Sequence, residues 1–430
     1  MPRQALNTIL LYFKKQRAFH YRNYRLFMAG QTLSLIGTWI QRMAMMWLAY
    51  RLTNSPFLLG LVGFCEQVPI FIIAPFAGVY ADKWDKQRAL CRVEAMALGQ
   101  AALLGILTLS GLVHIWHIIA LSLCLGTINA FEIPLRQSFV VEMVNRDKDA
   151  LGNAIALNST VFNLSRLIGP SVAGILIGSA GEGWCFMINA GSYGVILCSL
   201  LMMRVRPSSL PSPSGGHDVV ARLKEGIRYV RTQRVMQSLL LLLAIVSFAN
   251  ASLRTLAPVF ARDVLHGDAN ALGYLMSAAG VGAILGALFL TNSRPMPLLM
   301  RIVSFTGMLL GASMICFAAS GLLWLSLCFM AVGGLAQMMH TACTNTLLQL
   351  YTDDDKRGRV MSFYTVSLQG TMPFGSLISG SLAGIIGGPW AMGIMGGFCL
   401  LGTLLFREKH RQPRGGSPGQ APPEDSRAAA

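Results

Sequence analysis

Residues 26–50 read LFMAGQTLSLIGTWIQRMAMMWLAY, and Arg42 is the single charged residue in this run. A helix of about 20 apolar residues is long enough to cross the hydrocarbon core of a bilayer. The run is too long for the apolar core of a secretory signal, and no small-residue cleavage site follows it. The stretch therefore predicts a transmembrane helix that remains part of the protein.

Comparable apolar stretches follow along the rest of the chain. Their approximate bounds are 57–81, 89–110, 115–137, 152–180, 183–203, 236–261, 268–293, 298–319, 322–350, 359–386 and 389–406. Only 13% of all residues are charged, whereas roughly 25% is usual in soluble domains. We therefore predict an all-α integral membrane protein with 12 transmembrane helices in two six-helix halves.

Polar segments divide the chain into five parts. The predicted parts are an N-terminal cytoplasmic segment (1–25), a first six-helix half (26–203), a Pro- and Gly-containing cytoplasmic linker (204–235), a second six-helix half (236–406) and a disordered cytoplasmic tail (407–430). A tail rich in Pro, Gly and charge is typical of disorder because it has too few apolar groups to form a core.

The basic residues are distributed unevenly between the two sides of this predicted topology. With both termini placed in the cytoplasm, 30 of the 35 Lys and Arg residues lie in cytoplasmic segments and two lie in external loops. Such an excess on one side is the positive-inside pattern of membrane proteins. The net charge of +16 therefore indicates membrane orientation, and we expect no nucleic-acid partner.

Glycines recur at a constant spacing in the two predicted halves. In the fifth stretch they occupy positions 152, 169, 174 and 178, and in the eleventh they occupy positions 358, 375, 380 and 384, each shifted by 206 residues. The Leu59-Gly60 pair of the second stretch likewise matches Leu272-Gly273 of the eighth. These matches favour an internal repeat, which is common in secondary transporters.

The loop after the second stretch reads GVYADKWDKQR from Gly78 to Arg88. It resembles the signature loop of the major facilitator superfamily, Gly-x-x-x-Asp-Arg/Lys-x-Gly-Arg-Arg, and the matching positions are Gly78, Asp82, Lys83, Lys86 and Arg88. Asp85 stands where that family usually has Gly. The resemblance implies that the charge cluster latches the cytoplasmic side of the protein in its outward-facing state.

The fifth stretch contains a second motif, Gly169-Pro170 with Gly174 one turn later. A Gly-Pro pair weakens a helical hydrogen bond and lets another helix approach closely. We expect it to pack on the eighth stretch, through Gly280, Gly282 and Gly286. The pair resembles the Gly-Pro motif of exporters in the superfamily, which implies export.

Further segments narrow the resemblance to one branch. They are Gly37-Thr-Trp39-Ile-Gln41, Trp47-Leu-Ala-Tyr50, residues 129–137 and residues 158–170. They resemble the branch that contains the enterobactin exporter and the macrolide efflux proteins. That resemblance implies proton-driven export of small organic molecules. We expect the protein to be a monomer in the bacterial inner membrane.

Ionisable groups at membrane depth are costly and are functional candidates by default. Arg42 and Glu66 lie at similar depth on adjacent antiparallel stretches, so they are able to pair. Glu66 is the leading candidate for proton coupling, with Glu132 and His340 as further candidates; a permanent Arg42–Glu66 bridge and a neutral, hydrogen-bonded His340 are the alternatives. Glu132 and Arg136 are four residues apart on one helix face, which allows a structural pair.

Polar residues also recur at helical spacing in the first, fourth, seventh and tenth stretches, which line the central cavity in the superfamily. The predicted cavity residues are Gln41, Arg42, Asn158, Arg166, Asn250, Arg254, Gln337, His340 and Thr344. Among the ionisable residues at membrane depth, four arginines (42, 136, 166 and 254) outnumber the two acids Glu66 and Glu132, which suits an anionic or polar cargo.

The expected function is therefore alternating-access export, with a siderophore favoured over a drug. Proton entry from outside would protonate Glu66, Glu132 or His340 and favour outward release. A multidrug or macrolide pump, a lysophospholipid flippase and a metabolite importer are the alternatives. No phosphate-binding loop, HExxH motif, nucleophile elbow or metal-ligand spacing occurs, so we expect no enzyme activity, cofactor or metal.

Overall fold

The structure is a computed structural model that describes residues 17–81, 84–144, 147–204, 228–290, 295–353 and 356–409. These residues are almost entirely helical. The predicted latch residues Asp82 and Lys83 lie outside the described residues, as do most of the predicted linker and tail. Residues 228–232, at the end of that linker, are helical.

The helices follow one another with short connections. The N-terminal helices are α1 (Arg22–Thr53), α2 (Pro56–Ala81), α3 (Lys86–Leu109), α4 (Ile115–Met143), α5 (Lys148–Ala180) and α6 (Glu182–Leu201). The C-terminal helices are α7 (Arg234–Thr255), α8 (Ala269–Phe289), α9 (Met296–Ala318), α10 (Leu323–Tyr351), α11 (Arg357–Thr365), α12 (Met372–Ile386) and α13 (Gly388–Lys409). α13 extends slightly beyond the boundary at 406 that the sequence predicts.

Ten of the helices in the described part of the chain are long and apolar enough to cross a membrane. Two predicted spans differ from that pattern. α1 covers the first one, although its many polar side chains make it less apolar. The eleventh is divided between α11 and α12 by a π-helical turn at Val366–Gly370. Pro373 follows this turn and has no N–H to continue a regular helical ladder, which explains an irregular turn here.

Several helices begin at an aspartate that caps the free backbone N–H groups of the first turn. The Asp147 carboxylate accepts from Ala150 N at the start of α5, and Asp268 accepts from Ala271 N at the start of α8. Hydrogen bonds to the charged form lower a carboxyl pKa. Bonds from Asn270 and Ala271 hold the pKa of Asp268 below its usual value, so this cap is ionised at neutral pH.

Two helix crossings join the N-terminal and C-terminal helices, and glycines form both of them. At the α2–α12 crossing, a Cβ added to Gly380 would lie 2.8 Å from the Cα of Gly60. At the α5–α8 crossing, a Cβ added to Gly273 would lie 3.3 Å from the Cα of Gly174. The backbones are therefore too close for larger residues, as in other small-residue contacts between membrane helices.

These four glycines are members of the sequence repeat. Gly174 and Gly380 are 206 residues apart, and each packs on the Leu-Gly pair of a helix from the other group. The two crossings are therefore equivalent, as expected of repeats related by approximate two-fold symmetry. One expectation was wrong in part. Gly280 faces α5, but Gly282 and Gly286 pack on the α10 backbone near Ala331 and Leu335, because they lie on another face of α8.

The bundle has two distinguishable ends. Asn23, near the start of α1, donates to the Arg204 carbonyl just after α6 at 3.0 Å, and we call this the terminal end. At the opposite end, where α1 turns into α2, Tyr50 donates to the Asp263 carboxylate and Arg262 donates to Asn54 Oδ1 at 2.7 Å. These bonds join the N-terminal helices to the C-terminal helices, so the bundle is tied together at the α1–α2 end.

Candidate functional site

A cavity lies where the two helix groups meet in the interior. Its lining residues are Trp39, Arg166, Asn250, Leu253, Arg254, Met276, Ala279, Met330 and Gly334. They come from α1, α5, α7, α8 and α10, so both groups contribute. Three of them, Arg166, Asn250 and Arg254, are among the residues that the sequence predicts. Trp39 also lines the cavity, although the sequence indicated it only as part of a family motif and not as a cavity residue.

The helical spacing of the polar residues explains how they reach one cavity. Asn250 and Arg254 are one turn apart on α7 and therefore share a face. Arg166 lies on α5 within the segment that crosses α8, since a Cβ added to Gly280 would lie 3.4 Å from the Arg166 carbonyl oxygen, and its side chain interacts with Arg254 of α7. Glycine packing thus fixes the position of an ionisable group.

The predicted Arg42–Glu66 pair forms beside this cavity. Arg42 Nε lies 2.9 Å from Glu66 Oε1, and the Arg42 guanidinium lies 5.5 Å from the centre of the Trp39 ring. Arg42, Arg166 and Glu66 are also all close enough to interact electrostatically with Arg254. Arg42, Arg166, Arg254 and Glu66 are called the cavity cluster below. With all members ionised it holds three positive charges and one negative charge.

Other predicted cavity residues lie elsewhere or serve helix packing. Gln41 is buried between α3 and α6, where it donates to Gln100 and accepts from Asn189. His340 is fully buried, and its Nδ1 lies 3.1 Å from the Val303 carbonyl of α9. This contact fits the alternative in which His340 is neutral and hydrogen-bonded.

Three further candidates each have a buried oxygen atom without a hydrogen-bond partner in the described part of the chain. Gln337 Oε1, Thr344 Oγ1 and Asn158 Oδ1 have no hydrogen-bond partner among the described residues. Gln337 and Thr344 lie on α10, and Gln337 is one turn from Gly334, which lines the cavity. Asn158 lies two turns before Arg166 on α5.

A second group of charges lies among the N-terminal helices. Arg136 contacts Glu132 one turn away on α4, as the sequence predicts, and its Nη2 lies 3.4 Å from Glu94 Oε1 of α3. Glu94, Glu132 and Arg136 are called the acidic cluster below. The sequence reasoning missed Glu94. Its position inside the apolar stretch 89–110 was a signal, because a glutamate there has to be paired or neutral.

The described part of the predicted latch makes local contacts at the terminal end. Lys86 Nζ lies 2.6 Å from Glu142 Oε1 at the end of α4. Asp85, which replaces the usual Gly, accepts from Arg88 N and caps α3. Gly78 lies within α2. The Asp therefore has a structural role of its own, because it satisfies a backbone N–H of the first turn.

The Gly-Pro motif packs on two helices. A Cβ added to Gly169 would lie 2.4 Å from the Trp39 Cβ of α1, and the Pro170 carbonyl faces Gly273 of α8. Ser171 and Ser277 are joined by a hydrogen bond of 2.6 Å across the α5–α8 crossing. The motif thus sits between the cavity residue Trp39 and the contact that joins the two groups.

A family model for transmembrane secretion effectors matches residues 17–423. The chain belongs to this family. It is part of the major facilitator superfamily, as the motifs indicate. The relatives of this chain include the staphyloferrin A transporter of Staphylococcus aureus, which is 25% identical over 88% of this chain and 94% of the relative.

Two further relatives are drug exporters by name. The multidrug efflux pump Tap of Mycolicibacterium fortuitum is 24% identical over 82% of this chain and 87% of its own length. Macrolide efflux protein A of Streptococcus pyogenes is 22% identical over 88% of this chain and 92% of its own length. These relatives are transporters, so the family is one of membrane transport proteins.

Solved structures show the same fold. An inward-facing, occupied bacterial homologue of the human lysosomal transporter Spinster matches with a TM-score of 0.70 and 14% identity, over 90% of this chain and 96% of that one. The nucleoside transporter NupG matches with a TM-score of 0.67 and 13% identity, over 91% of this chain and 100% of that one. The protein is therefore a multi-pass membrane protein with a transporter fold.

Proposed function

We propose that this protein exports a small anionic organic molecule, a siderophore, by proton-driven alternating access. The observation that carries the proposal is the charge of the cavity cluster, in which three arginines face one glutamate. Buried charges require counter-charges. An anionic cargo supplies them, and guanidinium groups bind carboxylates through paired, charge-assisted hydrogen bonds.

The relatives support the same cargo class without deciding it. One of them is named as a transporter of staphyloferrin A, while others are named for drugs and macrolides. A pump for cationic drugs needs excess buried acid to balance its cargo. The excess of arginine in the cavity cluster therefore favours an anion, and drug efflux is the second candidate because of the named relatives.

For the membrane topology we propose twelve spans in two six-helix halves, with both termini in the cytoplasm of a bacterial cell. The excess of Lys and Arg at the terminal end supports this orientation. The α1–α2 end, where Tyr50 and Asp263 join the helix groups, would then face outwards. The structure would accordingly represent the state that opens towards the cytoplasm.

The proposed cycle moves the two helix groups against each other around the cavity cluster. Separating Tyr50 from Asp263 and Arg262 from Asn54 would open the outer side. Closing the terminal end would then engage the latch around Lys86, and we propose that a single chain completes the cycle. Of the proton carriers proposed from the sequence, Glu66, Glu132 and His340, we favour Glu132, because protonation of Glu66 would free Arg42 to bind an anionic cargo more tightly.

The first experiment compares culture supernatants of a strain lacking the gene with those of its parent, with and without iron, by untargeted mass spectrometry. Loss of one secreted chelator, with accumulation in the cells, is the expected result. An unchanged set of chelators together with increased drug susceptibility would replace siderophore export by drug efflux.

Complementation with variants tests whether the cavity cluster binds the cargo. Arg254→Gln should reduce secretion of the chelator at least tenfold, because a charge-assisted contact contributes more than about 1.4 kcal/mol. Arg51→Gln is the matched control. Arg51 pairs with Glu182 at the α1–α2 end, away from the cavity. Normal secretion by Arg254→Gln would contradict an anion site in this cavity.

A further inference from the structure

The acidic cluster contains one more acid than base. Arg136 pairs with both Glu94 and Glu132, and among pairs of described residues no other cation lies within 4 Å of either carboxylate. The Glu94 side chain has no exposed surface, and the side chains of Glu132 and Arg136 are 8% and 18% exposed. Full ionisation would therefore leave one negative charge buried without a counter-ion.

Hydrogen bonding does not compensate for that excess charge. Glu94 Oε2 is buried and has no hydrogen-bond partner among the described residues, and the same holds for Arg136 Nε. A carboxylate needs donors to replace the water that it loses on burial. A carboxylic acid needs fewer, because one of its oxygens is protonated. The geometry thus suits a protonated carboxyl better than a second carboxylate.

Among the residues that the structure describes, the surroundings supply no second base. α3 packs mainly on α4 and α6. The ionisable groups facing Glu94 are Arg136 from α4 and Tyr193 from α6, with Cys91 on its own helix. Glu132 reaches the same guanidinium from α4. Two carboxyl groups that share one cation repel each other when both are ionised, so the pair titrates as a unit.

The cavity cluster is poorly suited to release an anion upon protonation. Protonation of Glu66 would free Arg42 and leave the cavity more positive, which strengthens the binding of an anionic cargo. Glu66 competes with an anionic cargo for Arg42. A proton that promotes release of the anion therefore has to bind at a group other than Glu66. This step of the argument rests on the proposed anionic cargo, whereas the charge balance of the acidic cluster does not.

We propose that Glu94 and Glu132 share one proton beside Arg136, which makes the acidic cluster a proton-binding site separate from the cargo cavity. Its proton moves between bulk water and the carboxyl pair without any bond to the cargo. Of the two acids, Glu132 has the only side chain with any exposed surface, 8% against none for Glu94, so protons would enter through Glu132.

Tyr193 lies between this site and the cavity helix α1. Tyr193 is buried near Glu94 and Arg136, and its hydroxyl lies 3.3 Å from Thr38 Oγ1. Thr38 precedes Arg42 by one helical turn. A change in the charge of the acidic cluster therefore acts on a residue one turn from the cavity cluster.

The test is infrared spectroscopy of the purified full-length protein in liposomes at neutral pH, in the absence of any cargo. The C=O stretching band of a protonated carboxyl is distinct from the bands of a carboxylate, so its intensity counts protonated acids. Glu94→Gln and Glu132→Gln should each lower this band by the amount of one carboxyl, because each leaves a neutral pair of one acid and Arg136. Glu182→Gln is the control, since Glu182 has Arg51 to itself, and it should leave the band unchanged.

An unchanged band in both Glu94→Gln and Glu132→Gln would overturn the proposal. A loss in Glu94→Gln alone would overturn the sharing and assign the proton to one residue. Glu132→Gln gives an independent answer if Glu94→Gln does not fold. Because no cargo is present, a failure of siderophore export in the supernatant experiment would leave this result unaffected, and the two proposals fail separately.

Discussion

The cavity cluster and the acidic cluster are two buried sets of charge with opposite imbalance. The first has three arginines and Glu66, and it lies where the N-terminal and C-terminal helices meet. The second has two glutamates and Arg136, and it lies within the N-terminal helices. The sign of the excess charge indicates what each can bind, since the first lacks an anion and the second lacks a proton.

Their positions differ in a way that matters for transport. Residues of the cavity cluster come from both helix groups, so their distances change when the groups move. The acidic cluster lies on α3 and α4, which belong to one group, so the cluster can stay intact during that movement. Because the proton site lies within one helix group and the cargo site lies between the two groups, protons and cargo would be able to bind independently of each other.

The largest effect is expected from removing the base of the acidic cluster. Arg136→Gln leaves Glu94 and Glu132 without a cation, and losing one partner of a buried ion pair costs about 3–5 kcal/mol. Both carboxyls must then take up protons for the protein to fold. The unfolding temperature in detergent should therefore fall at neutral pH and recover as the pH is lowered.

The double variant Glu94→Gln/Arg136→Gln serves as the control for this prediction. It removes one acid along with the base, so it should be more stable at neutral pH than Arg136→Gln alone. An Arg136→Gln variant as stable as the parent at every pH would show that the three residues do not act as a charge cluster.

A smaller effect is expected from neutralising the acid of the cavity cluster. Glu66→Gln releases Arg42 from its partner and makes the cavity more positive, so the secreted chelator should bind about tenfold more tightly, the equivalent of one charge-assisted hydrogen bond of ~1.4 kcal/mol. Tryptophan fluorescence would report binding, since Trp39 lies beside Arg42.

Glu182→Gln is the matched substitution outside the cavity and should leave the affinity unchanged. Weaker binding of the anion by Glu66→Gln would reverse the interpretation of the cavity. It would indicate that Glu66 binds a positively charged part of the cargo, as in a drug exporter.

The smallest effect is expected at the connection between the two clusters. Tyr193→Phe removes the hydroxyl that bonds Thr38, and a neutral hydrogen bond contributes about 0.5–1.5 kcal/mol to the free energy of unfolding. Thr38→Val removes the same bond from its other side. A double-mutant cycle of thermal stability should show coupling between these substitutions, and neither should remove the carboxyl infrared band.

Additive effects of the two substitutions would show that Tyr193 and Thr38 do not interact in the protein in solution. A loss of the infrared band in Tyr193→Phe would show instead that the hydroxyl itself helps to hold the proton.

The helix crossings were the part of the tertiary structure most open to prediction. The 206-residue spacing links Gly174 to Gly380, and a Leu-Gly pair recurs in the partner helices. Small residues are needed where backbones approach, so the repeat indicated contact positions. The repeat did not indicate that Gly282 and Gly286 face α10. Gly280 lies on a different face of α8 from these two glycines.

The polar residues of α1 show the limit of such reasoning. Gln41 and Arg42 are neighbours in sequence, yet Gln41 is bonded to Gln100 and Asn189 inside the N-terminal helices while Arg42 faces Glu66 beside the cavity. A polar residue in an apolar helix can meet a ligand or the polar residues of another helix. Periodicity alone does not distinguish these cases.

The sequence by itself determined the membrane helices, the family and the repeat, because length, apolarity, charge bias and spacing are properties of single segments. It also indicated that Arg42 is able to pair with Glu66 and Glu132 with Arg136, since membrane depth and the spacing of four residues on one helix allow these contacts. Only the tertiary structure placed Glu94 against Arg136 and brought Arg166 to Arg254. These groups lie on different helices, so each cluster and its net charge exist only after the helices have packed.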